Sequence, residues 1–225
     1  MTQAEPLPRL NISDLRALTG RVPGTSLIEL SRNDHIYRAG SPDAHVYVVE
    51  RGQVKTQMVA ASGKRCLLSV HVAGDLFGET ALLGLERLES AIALTRTVLR
   101  RIPAARAAAV LTAEGSAGVL ARHLSIRLQH QQKVVADMVT MPSELRLAVR
   151  LQDLAERFGR RGPFGTRVDI ALTQEDLSEM VGTTRTRVGQ FLKRFRELEM
   201  VDFTPRSHLT VHEERLSEWI ATAAH

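Results

Sequence analysis

The pattern of apolar and polar residues divides the chain into two regions of different character. From Ser26 to about Arg101, short β-branched or apolar runs alternate with turn residues at intervals of roughly ten to twelve residues. Runs such as Val46-Tyr-Val-Val and Cys66-Leu-Leu-Ser-Val are too short for helices and are typical of strands. We therefore predict a β-barrel or β-sandwich in this region.

After Pro103 the pattern becomes helical. From about Ala113 to Val139 there is no proline, and apolar residues recur at helical spacing on two faces. Because both faces need burial, we predict that one lies on the β domain and the other on a second copy of the chain. A helix packed on both sides within one monomer is the alternative. The residues of the predicted dimer row are Leu120, Leu124, Arg127, Val134 and Met138.

A proline then separates this helix from the C-terminal region. In Met141-Pro-Ser-Glu, the proline disfavours helix in the residue before it and suits the first turn of the next helix. We predict an interdomain hinge here, a helix from Leu145 to Phe158 and a loop at Gly159-Arg-Arg-Gly-Pro-Phe-Gly. The predicted domains are residues 1–110, the helix at 111–140, and residues 141–225.

A helix-turn-helix is predicted in the C-terminal region. Its first helix begins at an N-cap threonine, Thr173, with an acidic residue three positions later, and it ends at Gly182. Thr184 provides a second cap signal, for a helix that runs to about Met200. Two short helices joined by a tight turn that contains glycine form this motif.

The second helix has one apolar side and one polar side. Val188, Leu192 and Phe195 recur at i, i+4 and i+7, which predicts an inward-facing row. Between Gly182 and Arg196 there are five basic residues and no acidic one, although the net charge of the whole chain is only +5. A solvated helix face normally mixes both signs, so this run favours a polyanionic partner. We predict that the partner is double-stranded DNA.

Base chemistry assigns roles to the polar side chains of this motif. Arginine suits the paired O6 and N7 acceptors of guanine, and glutamine suits the N6/N7 edge of adenine. We expect Arg185 and Gln190 to read bases, with Thr186 placed to touch the methyl group of thymine. Two strand-like runs around a polar tip predict a winged hairpin after the second helix. The residues expected to contact phosphates lie in the caps, in the second helix and at this tip: Thr173, Thr184, Arg187, Lys193, Arg206, Ser207 and His208.

Composition argues against several other classes of protein. One cysteine, Cys66, permits neither an internal disulfide nor a four-thiolate iron–sulfur cluster, and it fits a reducing cytosol. The histidines show no metal-binding spacing, and no phosphate-cradling glycine loop or nucleophile elbow occurs. We therefore expect no metal, no cofactor and no enzymatic activity. No long apolar run or secretion signal is found, so we expect a cytoplasmic protein without a membrane segment.

Several segments, in a fixed order, resemble one family over almost the full length of the chain. They are Tyr37-Arg-Ala-Gly-Ser-Pro-Asp, Val46-Tyr-Val-Val-Glu-Arg-Gly-Gln-Val, Gly74-Asp-Leu-Phe-Gly-Glu-Thr-Ala-Leu, and Leu172-Thr-Gln-Glu-Asp-Leu through Val181-Gly-Thr-Thr-Arg-Thr-Arg-Val-Gly. With these segments the chain resembles the cyclic-AMP receptor protein and fumarate-nitrate regulator family of bacterial transcription factors. The resemblance implies an α+β fold with an N-terminal β-roll sensor, a double-stranded β-helix like that of cyclic-nucleotide-binding domains. A long dimerisation helix and a C-terminal winged helix-turn-helix follow. It also implies a homodimer that binds a twofold-symmetric operator and recruits or obstructs RNA polymerase.

The resemblance also points to an effector pocket, which we expect to be degenerate. In the cyclic-nucleotide binders of this family, a Gly-Glu pair is followed ten residues after the Glu by an arginine and then a serine or threonine. The corresponding residues are Gly78, Glu79, Glu89 and Ser90. Glu79 matches the ribose-binding glutamate and Ser90 the phosphate hydroxyl, but the carboxylate of Glu89 would repel a cyclic phosphate. We therefore expect no activation by cyclic AMP in the usual way, and the sequence identifies no other effector.

Two features of this pocket have alternative interpretations. Gln131 and Gln132 stand where the cyclic-AMP type has hydroxyl residues that contact adenine. They either hydrogen-bond a ligand or pair across the dimer, and we favour the second. Arg87 lies two residues from Glu89 and either rebuilds an anion site or pairs with Glu89, which would close the pocket without a ligand. We expect the internal salt bridge.

A different class of protein shares the β domain. It is a cyclic-nucleotide-binding regulatory subunit that acts on a protein partner such as an enzyme or a channel. The helix-turn-helix and the lack of catalytic or membrane sequence weigh against this class. The sequence therefore predicts a homodimeric, sequence-specific transcription regulator.

Overall fold

The computed structural model describes residues 22–113, 117–203 and 209–223. These residues form two compact units, 22–128 and 129–223, and the division lies within one long helix. Among the described residues, the N-terminal unit has two antiparallel sheets and two clusters of buried apolar residues, and the C-terminal unit has one of each. The α+β fold expected from the sequence is confirmed.

The N-terminal unit is a β-roll. Its strands are β1 (Ser26–Leu30), β2 (His35–Tyr37), β3 (His45–Arg51), β4 (Gln53–Val59), β5 (Arg65–Val72), β6 (Leu76–Phe77), β7 (Ser90–Ala93) and β8 (Thr97–Pro103). One four-stranded sheet has the order β1-β8-β3-β6 and the other has the order β2-β7-β4-β5. A short 3-10 helix, Glu79–Leu83, lies between β6 and β7.

Strand β3 shows why the apolar runs of this unit are continuous rather than alternating. Val46 and Val48 pack on one side with residues of the helix that follows β8. Tyr47 and Val49 pack around Phe77 in the core between the two sheets. Since successive side chains of a strand point to opposite faces, an all-apolar strand needs a core on each side.

Two helices follow the roll. They are α1 (Ala104–Ala113) and α2 (Ala117–Thr140), and the 24 residues of α2 span about 36 Å at about 1.5 Å per residue. The sequence did not predict α1 as a separate helix. Leu120, near the start of α2, packs against the same cluster as Ala107 of α1. Leu120 was predicted in the dimer row, but it packs against the roll, because the first turns of α2 lie there.

The C-terminal unit places four helices around a small sheet. The helices are α3 (Ser143–Phe158), α4 (Gln174–Val181), α5 (Arg185–Glu197) and α6 (Glu213–Ala223). The sheet has the order β11-β12-β10-β9, formed by β9 (Gly159–Gly162), β10 (Gly165–Val168), β11 (Val201–Phe203) and β12 (Leu209–Val211). The predicted inward row of α5 packs in one core with Leu147, Leu151 and Leu154 of α3. The predicted helix-turn-helix and winged hairpin are confirmed.

Two elements of this unit differ from the sequence prediction. The segment predicted as a loop after Phe158 is the hairpin of β9 and β10, because β10 also pairs with β12, for example Val168 with Leu209. Because β12 lies far along the chain from β10, this pairing produces no local pattern of apolar residues that the sequence could show. Helix α6 was not predicted, although Leu216 and Trp219 pack into the core.

Candidate functional site

Helix α5 has a polar surface that carries positive charge. Its inward row of Val188, Leu192 and Phe195 is at most 3% exposed, which fixes the remaining sides of the helix towards solvent. The residues predicted on this helix to read bases or contact phosphates are all exposed: Arg185, Thr186, Arg187, Gln190 and Lys193. The structure therefore gathers these five side chains on the exposed surface of one helix.

The caps predicted for the helix-turn-helix are present. Oγ1 of Thr173 accepts a hydrogen bond from the backbone N–H of Asp176 at 3.1 Å and donates to its carboxylate at 2.6 Å. Oγ1 of Thr184 accepts from the backbone N–H of Arg187 at 3.3 Å. Gly182 ends α4 with φ 66°, a left-handed conformation that favours glycine. Both threonine hydroxyls thus stabilise helix starts, and their predicted phosphate contacts stay predictions.

Two acidic residues near α5 pair with its last two turns. Glu197 lies 3.8 Å from Lys193, and Glu144 of α3 accepts from Arg194 at 3.1 Å. Arg194 is nine residues beyond Arg185 and therefore about half a turn round the helix from it. The first turn of α5 thus keeps a positive charge with no carboxylate of its own. The wing residues Arg206, Ser207 and His208 lie outside the described residues.

Arg87 lies against Gly78, one of the residues of the predicted effector pocket. Its side chain is 1% exposed, and its guanidinium donates to the carbonyl oxygen of Gly78 at 2.7 Å. The same group donates to the carboxylate of Asp43 at 3.0 Å and to the carbonyl oxygen of His45. It also lies over the ring of Tyr37, 4.2 Å from the ring centroid. An arginine of the chain itself thus occupies the side of the pocket next to Gly78.

The predicted ion pair between Arg87 and Glu89 is wrong. Arg87 pairs with Asp43, which lies 44 residues away in sequence, and Glu89 accepts from the hydroxyl of Tyr37 at 2.9 Å. Burial and the carboxylate of Glu89 raise the pKa of Tyr37, so this hydroxyl remains a donor. Ser90 accepts from a backbone N–H through its hydroxyl at 3.0 Å. The residues expected at a phosphate are therefore bonded within the chain.

Glu79 is bonded to helix α2. Nε2 of His123 lies 3.1 Å from Oε1 of Glu79, and Arg127 donates to the same oxygen. Burial raises the pKa of Glu79, but the hydrogen bond with His123 and the charge of Arg127 outweigh this effect and hold the pKa at about 2. Arg127 thus faces the roll and not the dimer row predicted for it. The sequence carried no signal for these contacts, because the partners lie 44 and 48 residues apart.

The exposed apolar residues of α2 form a row that differs from the predicted one. Leu124, Leu128, Val135 and Val139 are 40, 59, 63 and 81% exposed. They recur at steps of four and seven residues, the spacing of a helix that packs against another helix. Only Leu124 belongs to both rows. Such a surface has no partner in the part of the chain that the structure describes.

The other predicted residues of α2 have different surroundings. Met138 packs on the turn of the helix-turn-helix, where its Sδ lies 3.3 Å from the position that a Cβ on Gly182 would take. Val134 and Gln131 are half-buried, and Gln132 is exposed. All of them belong to the C-terminal unit, whereas Gly78, Glu79, Glu89 and Ser90 belong to the N-terminal unit.

None of the helices within residues 22–113, 117–203 and 209–223 has the length and apolar character that a bilayer crossing requires.

Comparisons with known proteins agree with both units. A family model described as a cyclic nucleotide-binding domain matches residues 27–114, and one described as a Crp-like helix-turn-helix domain matches residues 145–219. The chain is 30% identical over 193 residues to a CRP-like cAMP-activated global transcriptional regulator of Mycobacterium tuberculosis, covering 84% of this chain and 86% of that one.

Solved structures show the same fold. A CooA mutant from Carboxydothermus hydrogenoformans matches with a TM-score of 0.76 and 20% identity, over 94% of this chain and 99% of that one. A transcriptional regulator of the CRP/FNR family from Thermus thermophilus matches with a TM-score of 0.70 and 23% identity, over 88% of this chain and 100% of that one.

Proposed function

Because the chain belongs to the CRP/FNR family of transcription regulators, we propose that it is a homodimer that binds a twofold-symmetric DNA operator in a sequence-specific manner. The observation that carries this proposal is the first turn of α5, where Thr184 caps the helix and Arg185 and Thr186 are exposed beside it. A recognition helix reads base edges with the residues of its N-terminal turns. RNA polymerase is the proposed downstream partner, which the bound dimer recruits or obstructs.

The base contacts follow from the exposed side chains. Arg185 reads guanine through O6 and N7, Gln190 reads adenine, and Thr186 touches the methyl group of thymine. Thr186 lacks the carboxylate that accepts strongly from cytosine N4, so the half-site differs from that of the cyclic-AMP receptor type. Arg187 and Lys193 contact phosphates, together with the capping threonines and the wing residues.

Two copies of the chain meet through helix α2 in this proposal. The exposed row of Leu124, Leu128, Val135 and Val139 is the surface that a second α2 would bury. Each dimer then presents two recognition helices, which must lie about 34 Å apart to enter successive major grooves on one side of the duplex.

The dimer binds DNA without cyclic AMP in this proposal. The Mycobacterium tuberculosis relative is described as cAMP-activated, which makes cyclic AMP the first effector to test. Here the guanidinium of Arg87 bonds to the carbonyl oxygen of Gly78, and Glu89 carries a negative charge beside Tyr37. A cyclic phosphate would have to displace the first group and approach the second, and both steps oppose binding.

DNA binding of the purified full chain tests the proposal. Duplexes selected from random sequence by the wild-type protein are titrated by fluorescence anisotropy at several salt concentrations, with and without cyclic AMP. We expect a steep fall of affinity with salt, as phosphate contacts require, and no change on adding cyclic AMP. A regulatory subunit that acts on a protein partner would bind no duplex, and that result would overturn the proposal.

Base reading is tested with two arginine variants of α5. Arg185→Ala should weaken binding to the selected duplex by about 1 to 3 kcal/mol and change binding to random DNA much less. Arg194→Ala removes the same charge on the opposite side of the helix, where the residue pairs with Glu144. Equal effects of Arg185→Ala on selected and random duplexes would show that Arg185 reads no base.

A further inference from the structure

The end of helix α2 is bonded to the helix-turn-helix through an arginine of α3. Nε of Arg146 donates to the carbonyl oxygen of Val181, in the last turn of α4, at 2.9 Å. Its Nη1 donates to the carbonyl oxygens of Met138 and Met141, in the last turn of α2 and directly after it. One guanidinium therefore joins the end of α2 to the end of α4, immediately before the turn that leads into α5.

A second arginine of α3 makes a buried ion pair with the same turn of α2. Arg150 donates to the carboxylate of Asp137 and, at 2.8 Å, to that of Asp153. Arg150 and Asp137 are each 5% exposed. Asp137 lies near the C-terminus of α2, where the helix dipole disfavours a negative charge. A buried ion pair adds little stability compared with apolar residues of similar volume, so fixed geometry explains this pair better than stability does.

Met138 of α2 packs closely against Gly182, next to the bonds of Arg146. The sulfur of Met138 reaches Gly182, whose left-handed conformation ends α4 and starts the turn into α5. A Cβ at this glycine would also lie 3.9 Å from Arg146. The last turn of α2 and the turn of the helix-turn-helix are therefore in direct contact.

We propose that Asp137, Arg146 and Arg150 are positioning residues that fix the recognition helix α5 to the C-terminal half of α2. We call this set of bonds the latch, and its role rests on the proposed DNA binding. The sequence predicted a hinge at residues 141–143, but the latch holds α2 before this segment and α3 after it. The orientation of α5 relative to the end of α2 is therefore set by the fold and needs no effector.

The latch matters most when both half-sites are bound together. Two recognition helices enter one duplex at once only if each is already held in position, because ordering a loosely connected helix costs binding free energy. A single half-site requires one helix, which can reorient about a loosened connection without straining the other subunit. Loss of the latch should therefore weaken binding to the full operator selectively.

A double substitution removes the ion pair without leaving its buried charges unpaired. In Asp137→Leu/Arg150→Met, apolar groups replace both partners, an exchange that buried pairs often tolerate. Asp153→Asn is the matched control, because it changes a partner of Arg150 and keeps Asp137. The probes are a full operator selected by the wild-type protein and the same duplex with one half-site scrambled. We expect the double variant to bind the full operator about tenfold or more weakly, with unchanged half-site affinity.

Hydrogen exchange gives a readout that requires no DNA. The backbone N–H of Met141 donates to the carbonyl oxygen of Asp137 at 3.0 Å, and we expect it to exchange about tenfold faster in the double variant while α5 keeps its protection. Equal losses on both duplexes, or unchanged exchange at this amide, would overturn the latch. If the wild-type protein bound no duplex, the proposed DNA binding would fail, and the exchange result would still decide between a latch and a free hinge.

Discussion

Replacing Arg87 by methionine should destabilise the N-terminal unit by about 3 kcal/mol. Removing one partner of a buried ion pair typically costs about 3 to 5 kcal/mol, because the other charge stays buried. Asp43 is 16% exposed and keeps two contacts, with Nδ1 of His45 at 2.8 Å and the hydroxyl of Tyr47 at 3.0 Å. These contacts place the expected loss at the lower end of the range. Methionine fills most of the vacated volume, so a cavity adds little.

The aromatic residues allow the two units to be followed separately. The two tyrosines of the chain, Tyr37 and Tyr47, lie in the core of the roll close to Arg87, and the single tryptophan, Trp219, packs in the C-terminal core. Urea unfolding is therefore monitored by the near-UV circular dichroism of tyrosine and by tryptophan fluorescence. With a slope of about 1 to 3 kcal/mol per molar urea, Arg87→Met should lower the tyrosine midpoint by about 1 M or more and leave the tryptophan midpoint in place.

An exposed arginine of the same unit is the control. Arg96 pairs with Glu29 at 2.9 Å, but their side chains are 81 and 60% exposed, so Arg96→Met should not shift the tyrosine midpoint measurably. If Arg87→Met and Arg96→Met gave the same midpoint as wild type, the contacts of Arg87 would not hold the roll together, and the interpretation of a self-occupied pocket would fail with them.

Two further predictions concern the pocket. The pKa of Glu79 in the folded protein, about 2, lies below its ordinary value of 4.5, so the stability that Glu79 contributes is present above pH 4.5 and is lost as the pH falls towards 2. Urea unfolding across this window should show a smaller loss of stability in acid for Glu79→Gln than for wild type. Equal losses would contradict the assignment. Glu89→Arg alone should not create cyclic AMP binding in calorimetry, because Arg87 still occupies the side next to Gly78. Glu89→Arg combined with Arg87→Leu should bind cyclic AMP at least about tenfold more tightly than Glu89→Arg alone. Binding by the single variant would show that Arg87 is no obstacle.

The fold was predictable where local pattern and burial coincide. The row of Val188, Leu192 and Phe195 predicted the inward face of α5 because helical spacing alone places these residues on one side. The hairpin of β9 and β10 was missed because its strands contain glycine and arginine and depend on pairing with β12. Local sequence cannot show such pairing, since it joins segments that are far apart in the chain.

The candidate site was predictable only in part. Exposure of Gln190 followed from its position opposite the apolar row of α5, and Arg185 is exposed at the start of this helix, where the sequence places it beside the polar face. The partner of Arg87 was not predictable, because spacing suggested Glu89 while the folded chain brings Asp43 to it from 44 residues away. Charged contacts of this kind depend on topology, whereas the apolar pattern depends on local geometry.

Helix α2 shows how this difference affects the mechanism. The apolar pattern assigned Arg127 to a dimer row, yet Arg127 and His123 bond to Glu79 in the N-terminal unit, and Asp137 bonds to Arg150 in the C-terminal unit. Partly buried charges interact more strongly than exposed ones, so these contacts fix the helix within each unit more firmly than its exposed leucines do. The contacts of Glu79 with His123 and Arg127 therefore fix the N-terminal part of α2 against the roll, and the contact of Asp137 with Arg150 fixes its C-terminal part against α3. Each half of α2 is thus held by charged side chains that its apolar pattern does not reveal.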